Sequence, residues 1–351
     1  MGIFSKSCLG IDIGASSIKI VEVSGFGKKK KLENYIEFQL PLTSSSIKTF
    51  HGESLLLVSD EVSEILQAIF KKVKVKERRA VLSIPDFSTF FTTFTLPPMT
   101  EAEVPQAVEF EARHHIPLPL SEVSYDWQII EKEKVLPGVK LKILLVAVPN
   151  RVLQNYQRMA TLAQLEVLGM EAEVFGLIRS SIPEKNSQNP VCAVDIGWQS
   201  TTVSIVEKGS LQISHSFDIS GIGLTKTLSE KLGIDFEEAE KLKKEYGLDP
   251  NRKDISEILC EEINSLAFEI NKVCEDFYRS EGKKIERVLL SGGTASLFGL
   301  KEYLGERIKR KVEIVNPFVG LSYPSVLTNR LQELGPSFAV AVGVGLGGTE
   351  I

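Results

Sequence analysis

Only four cysteines occur in 351 residues, and Cys8, Cys192, Cys260 and Cys274 show no C-x-x-C spacing, so buried free thiols are expected rather than a zinc site or a disulfide frame. Long apolar runs are missing too. The run 143–148 suits a buried strand and falls far short of the roughly 20 residues that cross a bilayer. No signal-like apolar region marks the opening Met1-Gly2-Ile3-Phe4-Ser5-Lys6, and Lys6 stands where a myristoylation signal would have Ser or Thr. A cytoplasmic protein is therefore expected. Positive charge is not in excess: 41 Lys and Arg against 46 Asp and Glu leave a net charge of −5, and nucleic acid is not an expected partner. A chain of this length is expected to fold as two lobes or a few subdomains rather than around one core.

What the chain does have is Leu9-Gly10-Ile11-Asp12-Ile13-Gly14-Ala15-Ser16-Ser17-Ile18-Lys19-Ile20, two β-rich runs joined by a small-residue turn. Glycine and serine let backbone N–H groups approach phosphate oxygens, Lys19 can reach a phosphate, and Asp12 can hold a hydrated divalent cation. A single such turn is also an ordinary hairpin. The pattern recurs 183 residues downstream (195 − 12) as Val194-Asp195-Ile196-Gly197-Trp198-Gln199-Ser200-Thr201-Thr202. Two related halves follow from this repeat. If they face each other, Gly14, Ala15, Ser16 and Ser17 close on a polyphosphate from one side and Gly197, Trp198, Gln199, Ser200 and Thr201 from the other, with Asp12 and Asp195 on one metal ion. Thr202 stands in for Lys19, so the clamp has one lysine.

Between the repeats, Gly27 and the lysines 28–31 read as a solvated hairpin tip, 31–40 as a strand, and 43–52 as a serine-rich loop. Asp60 caps a helix with Val62, Ile65, Leu66, Ile69, Phe70 and Val73 on one face, and 80–84 is a short buried strand. Phe87, Phe90, Phe91 and Phe94 then crowd one strand. Thr100 and Glu103 have capping-box spacing, with Thr100 as the cap, although Pro105 sits uneasily in that first turn. That helix stops at Pro117; strands 123–131 and 140–148 flank a Pro137-Gly138 turn, and a helix covers about 150–165. Glu111 and His115 lie one helical turn apart, with surface contacts expected rather than a metal. In the second half, 191–196, 201–206 and 211–217 repeat the opening meander, and Gly221 and Gly223 open a helix whose free N–H groups suit an anion. Asp235 caps a helix in which Glu240 and Lys243 are neighbours on one face, by themselves a salt pair. A long helix over 254–280 and a strand over 287–290 lead to Ser291-Gly292-Gly293-Thr294, a tight turn or a backbone lying flat on a ligand. Small residues over 339–348 allow a helix to pack closely on another backbone.

Asp12-Ile13-Gly14, Asp195-Ile196-Gly197, Ser291-Gly292-Gly293-Thr294 and the glycine-rich terminal helix together resemble the actin/Hsp70/hexokinase superfamily. That resemblance implies an α/β, actin/Hsp70-like two-lobed fold with duplicated ribonuclease H-like domains. ATP and Mg²⁺ would lie between the lobes, with phosphates on the first two turns and Gly292, Gly293 and Thr294 beside the adenosine. In the FtsA-like branch an A-E-x-x-K pattern, here Ala239-Glu240-Lys241-Leu242-Lys243, contacts ribose and base. Glu111-Ala112-Arg113-His114-His115-Ile116-Pro117-Leu118-Pro119-Leu120-Ser121-Glu122-Val123, followed by Tyr125-Asp126-Trp127, is similar to a stretch of the PilM family of type IV pilus assembly proteins. Leu96-Pro97-Pro98-Met99 and Asn316-Pro317-Phe318 fit it as well. The family implies an ATP-binding cytoplasmic scaffold at the inner face of the cytoplasmic membrane, recruited through its partner. A groove between the first lobe and the insert would receive the cytoplasmic tail of PilN; pilus assembly ATPases are further partners, and a homo-oligomer is left open.

The domain division expected on this basis is a first lobe (1A) of 1–84 completed by 335–351, an inserted FtsA-like 1C subdomain of 85–168, a second lobe (2A) of 169–220 with 283–334, and a nucleotide-capping 2B subdomain of 221–282. Hydrolysing relatives position a water with an acid or amide on the helix that links the lobes. Glu171 and Glu173 are the nearest candidates, and either is equally a helix N-terminal acid favoured by the dipole. Slow hydrolysis or none is expected. An FtsA-like division protein, a type II secretion component and a small-molecule kinase of the same superfamily remain as alternatives.

Overall fold

The computed structural model describes residues 6–27, 29–40, 60–100, 102–135, 138–182 and 189–351. The expected loop at 43–52, Lys28 of the hairpin tip and Pro137 of the expected turn lie outside them. β1 (Lys6–Ile13), β2 (Ser17–Phe26) and β3 (Lys29–Gln39) form an antiparallel meander. Residues 8–13 of β1 are all buried, as expected of a central strand covered on both faces. After α1 (Asp60–Val73), β4 (Arg79–Ile84) returns parallel to β1.

A short 3₁₀ turn at Asp86–Ser88 opens the insert, which comprises β5 (Phe90–Leu96), α2 (Val104–His115), β6 (Val123–Val135) and β7 (Gly138–Pro149). Its sheet runs β5-β7-β6, and Val104, Val108 and Ala112 of α2 pack on Leu141, Ile143 and Leu145. Phe87 lies in the 3₁₀ turn rather than on the strand with the other phenylalanines. Thr100 is not the cap of α2: its N–H and hydroxyl both donate to Glu103, at 2.8 and 2.7 Å, and the helix starts at Val104 with Pro105 in its first turn. Proline is at ease there because the N–H it lacks has no partner in a first turn.

The insert is shorter than expected. α3 (Asn150–Leu162) buries Val152, Tyr156 and Met159 against Leu66 and Phe70 of α1, and β8 (Glu166–Ala172) pairs in parallel with β4. The stretch 150–172 thus belongs to the first lobe, because the apolar face of α3 finds its complement on α1 and the backbone of β8 finds hydrogen bonds beside β4.

α4 (Glu173–Ser181) leads to the second lobe, where β9 (Val191–Ile196), β10 (Thr201–Glu207) and β11 (Ser210–Phe217) repeat the meander. α5 (Gly221–Leu232), α6 (Phe236–Tyr246) and α7 (Lys253–Glu281) precede β12 (Arg287–Ser291), α8 (Leu300–Ile308) and β13 (Lys311–Ile314). The sheet order β11-β10-β9-β12-β13 matches β3-β2-β1-β4-β8 strand for strand. Leu228, Ala239 and Ile263 of the three helices share one core with Val194, Val203 and Leu290 of the sheet, so 221–282 is continuous with the second lobe. The return to the first lobe also comes before 335. β14 (Leu321–Ser322) extends the first sheet beside β3, and Phe318 and Leu331 join Val21 and Val23 in one cluster. α9 (Thr328–Gly348) then crosses β1 and α4 at backbone contact, where a Cβ on Gly10 would lie 2.0 Å from the Ala341 carbonyl and one on Gly343 only 1.8 Å from that of Gly176.

Candidate functional site

The register of β1 and β2 sets Asp12 opposite Lys19, and that of β9 and β10 sets Asp195 opposite Thr202. Both turns close alike: the Gly14 N–H donates to the Ser17 carbonyl at 3.0 Å, and the Gly197 N–H to that of Ser200 at 2.9 Å. A serine from the neighbouring parallel strand holds each aspartate. Ser83 on β4 donates to Asp12 Oδ1 at 2.8 Å, and Ser291 on β12 to Asp195 Oδ1 at 2.9 Å. Lys19 Nζ donates to Ser17 Oγ at 2.9 Å and lies 4.0 Å from Asp12 Oδ2.

The hairpins face each other across a cleft of about 670 Å³. Asp12, Gly14, Ala15, Ser16, Ser17 and Lys19 line one wall, and Asp195, Gly197, Trp198, Gln199 and Ser200 the other. Glu240, Lys243, Gly292, Gly293 and Thr294 complete the second-lobe side, and Glu173 lies on the floor. Four expected residues stand elsewhere. Thr201 is buried behind its turn, its hydroxyl donating to the Ile219 carbonyl at 2.6 Å. Gly221 offers its carbonyl to Lys243 Nζ at 2.8 Å, and Gly223 faces the Ser220 side chain. Glu171, on β8, is held by Arg179 at 2.5 and 2.8 Å, whereas Glu173 opens α4.

Gly292 needs its positive φ of 87°, and a Cβ there would lie 2.4 Å from the Ile196 carbonyl and 2.8 Å from Asp195 Oδ1. Gly293 instead borders open space. On α6, capped by Asp235, Glu240 and Lys243 form a buried pair at 2.7 Å. Lys243 also donates to Thr225 Oγ1 at 2.7 Å and lies 5.1 Å from the centre of the Trp198 ring. Burial works against the Glu240 carboxylate, but Lys243, Thr225 and Lys244 outweigh it and hold its pKa below the usual range. Burial lowers the Lys243 pKa, and Glu240 offsets part of that.

Beside Glu173 stands a residue that sequence reasoning missed. Asp86 Oδ1 accepts the Val174 N–H at 3.2 Å, while Glu173 Oε2 accepts the Asp86 N–H at 3.1 Å, an exchange between the 3₁₀ turn and the start of α4. Burial, followed by repulsion from Asp195 and Asp12, pushes Asp86 up to about 8 against the Val174 and Thr202 hydrogen bonds. Burial likewise raises Glu173 well above the glutamate range, with Asp86 next in weight. Asp195 is raised by burial to about 6, although Ser291 favours its ionised form.

Among the described residues no cluster of three His, Cys, Asp or Glu is set to hold a metal. The site fits a water-rich ion instead. Asp12 and Asp195 offer hard oxygens across the cleft, and magnesium keeps several waters while binding one or two carboxylates plus phosphate. Gln199 Oε1, buried and without a hydrogen-bond partner, is a further polar atom in the same wall that a ligand would satisfy.

A family model described as type IV pilus assembly protein PilM matches residues 10–349. The chain belongs to the PilM family. Curated relatives include the cell division proteins FtsA of Staphylococcus epidermidis, 22% identical over 220 residues (56% of this chain, 47% of that protein), and of Rhizobium meliloti, 25% identical over 232 residues (59% and 51%). This PilM-family chain spans about half the length of these curated relatives. Among solved structures, a PilM-PilN type IV pilus biogenesis complex is similar at a TM-score of 0.85 and 22% identity, over 98% of this chain and 99% of that one. The ethanolamine utilization protein EutJ of Carboxydothermus hydrogenoformans follows at 0.58 and 16% (99% and 90%), and MreB 5 of Spiroplasma citri bound to AMPPNP at 0.54 and 13% (97% and 95%). The two-lobed actin-like fold is thereby shown.

Proposed function

We propose that this PilM-family protein is an ATP-binding scaffold of the type IV pilus inner-membrane platform and binds the cytoplasmic tail of PilN. One observation carries the nucleotide part: the duplicated acidic hairpins converge on a single cleft that also holds a lysine and the Gly292-Gly293 turn. Gly14 to Ser17, Lys19 and Gly197 to Ser200 would hold the phosphates, Gly292, Gly293 and Thr294 the adenosine, and Glu240 with Lys243 the ribose and base. Asp12 and Asp195 would hold the magnesium through water. When bound, that ion neutralises charge on the phosphates and the facing carboxylates.

Glu173, which lines the cleft, would be the residue that orients a water. Burial raises its pKa above the glutamate range, with Asp86 next in weight, and we infer slow hydrolysis or none. Nucleotide would then act by favouring the closed arrangement of the lobes that a partner prefers. Among the described residues no helix is long and apolar enough to cross a membrane, and recruitment through PilN accounts for a place at the inner membrane.

Calorimetric titration of ATP with Mg²⁺ tests the site. Asp12→Ala and Lys19→Ala should each weaken binding about tenfold or more, through loss of a metal-facing carboxylate and of a charge-assisted phosphate contact. Unchanged affinity in both variants counts against it.

A further inference from the structure

We propose that the insert is a lever between the lobes, tethered to the first by the chain and latched to the second by the Lys142–Glu281 ion pair, so that occupancy of the cleft sets the position of the insert. The latch stands on its own geometry, and its coupling to the cleft rests on the nucleotide reading above.

The tether is covalent and double. The chain enters the insert from β4 through the 3₁₀ turn at Asp86–Ser88 and leaves it from β7 straight into α3, whose apolar face belongs to the first lobe. The insert also meets the second lobe. Lys142 of β7 pairs at 2.5 Å with Glu281 at the C-terminal end of α7, the two side chains being 16% and 27% exposed. Two further charges flank that pair with the opposite arrangement. Glu131 of β6 is the cross-strand neighbour of Lys142, and Lys283 follows Glu281 across the left-handed Gly282. Lys283 donates to Glu207 Oε2 at 2.8 Å, and that bond, followed by the charges of Glu207, Glu131 and Glu281, raises its pKa although burial opposes it. A minus and a plus on the insert thus stand against a plus and a minus on the second lobe, which fixes how the two dock.

The contact is of a kind that parts and re-forms. β5 and β11 are outer strands of their own sheets, and among the described residues no ladder joins them. They touch through a side chain, with Thr93 Oγ1 donating to the Gln212 carbonyl at 3.3 Å. Side chains separate without breaking either sheet, whereas a shared ladder would make the insert and the second lobe one body. The rings of Phe91 on β5 and Phe175 on α4 meet edge to face with centres 6.3 Å apart, so the insert also bears on the helix that leads to the second lobe. A body tied to one lobe by its chain and to the other by side chains follows the angle between them: when the lobes move, the insert turns or the latch parts. The direction follows as well. The convergent cleft walls and the closed latch coexist in one arrangement, so a ligand that grips both walls favours the latch, and by linkage the latch favours the ligand.

The test is a double-mutant cycle on the full chain with Lys142→Met and Glu281→Gln, which remove the charges and keep the length of both side chains. Two readouts are taken: affinity for ATP with Mg²⁺ by calorimetry, and amide hydrogen exchange of β5 and β11. Each single variant should weaken ATP binding about threefold or more and speed exchange in both strands, and the double variant should be no worse than either single. In the unaltered protein, ATP with Mg²⁺ should slow the same exchange. Arg158→Met, which breaks a pair with Asp60 at 2.7 Å inside the first lobe, should leave both readouts unchanged and so excludes general destabilisation. Unchanged exchange in the single variants, or effects that multiply in the double variant, overturns the latch. Faster exchange with unchanged ATP affinity overturns the coupling and leaves the nucleotide reading standing. Absence of ATP binding in the unaltered protein overturns that reading together with the coupling, while exchange in the ligand-free variants still decides the latch.

Discussion

At Asp195 a proton would compete with the proposed cation for one buried carboxylate. With its folded-state pKa at about 6, magnesium bound as proposed would have to displace a proton below that pH, so affinity for ATP with Mg²⁺ should fall as pH drops from 7 towards 5, and calorimetry across that range checks it. Asp86 acts on stability. Its pKa is raised from 3.8 to about 8 on folding, so the folded state binds more protons than the unfolded one between those values. The ligand-free protein should therefore lose stability as pH rises from about 5 through 8, and Asp86→Asn should flatten that slope in denaturant titrations. Asp12 and Asp195 were legible because the same residues recur around the same turn. Ser83 and Asp86 were not, because their partners Asp12 and Val174 lie 71 and 88 residues away and no local pattern marks them.

Most elements announce themselves through periodicity, and the hairpins, α1, α6 and α7 lie close to where their patterns place them. The glycine-rich stretch of α9 shows why: its small residues predict close packing on a backbone without saying which one. The partners are Gly10 of β1 and Gly176 of α4. Gly10→Ala should destabilise the protein by about 3 kcal/mol, since the added methyl meets backbone on a central strand that cannot yield. Gly233→Ala is the control, as its Cβ would meet nothing within 4 Å and only the left-handed φ of 66° is strained. Thermal unfolding of the pair separates the two costs. Capping was less legible, because Thr100 and Glu103 have the right spacing while Pro105 marks the helix start more strongly.

For the whole molecule the cleft lies between the lobes, and on the proposed reading a nucleotide would complete it from both sides. ATP with Mg²⁺ at 100 times its dissociation constant should stabilise the fold by about 2.7 kcal/mol, and chelation of the metal should remove most of that gain in a thermal-shift series. Loss of stabilisation in Asp12→Ala with unfolding otherwise unchanged would tie the effect to the cleft.

The duplication, the strands of both meanders and the two acidic turns were determined by the sequence alone, because each depends on residues a few positions apart whose spacing sets face and turn. The limits of the insert, the serines that hold the aspartates and the placing of Asp86 beneath the cleft were decided only by the tertiary structure. The chain leaves the first lobe and returns to it twice, at α3 and at β14, and which apolar face meets which is settled by packing between segments far apart in the chain.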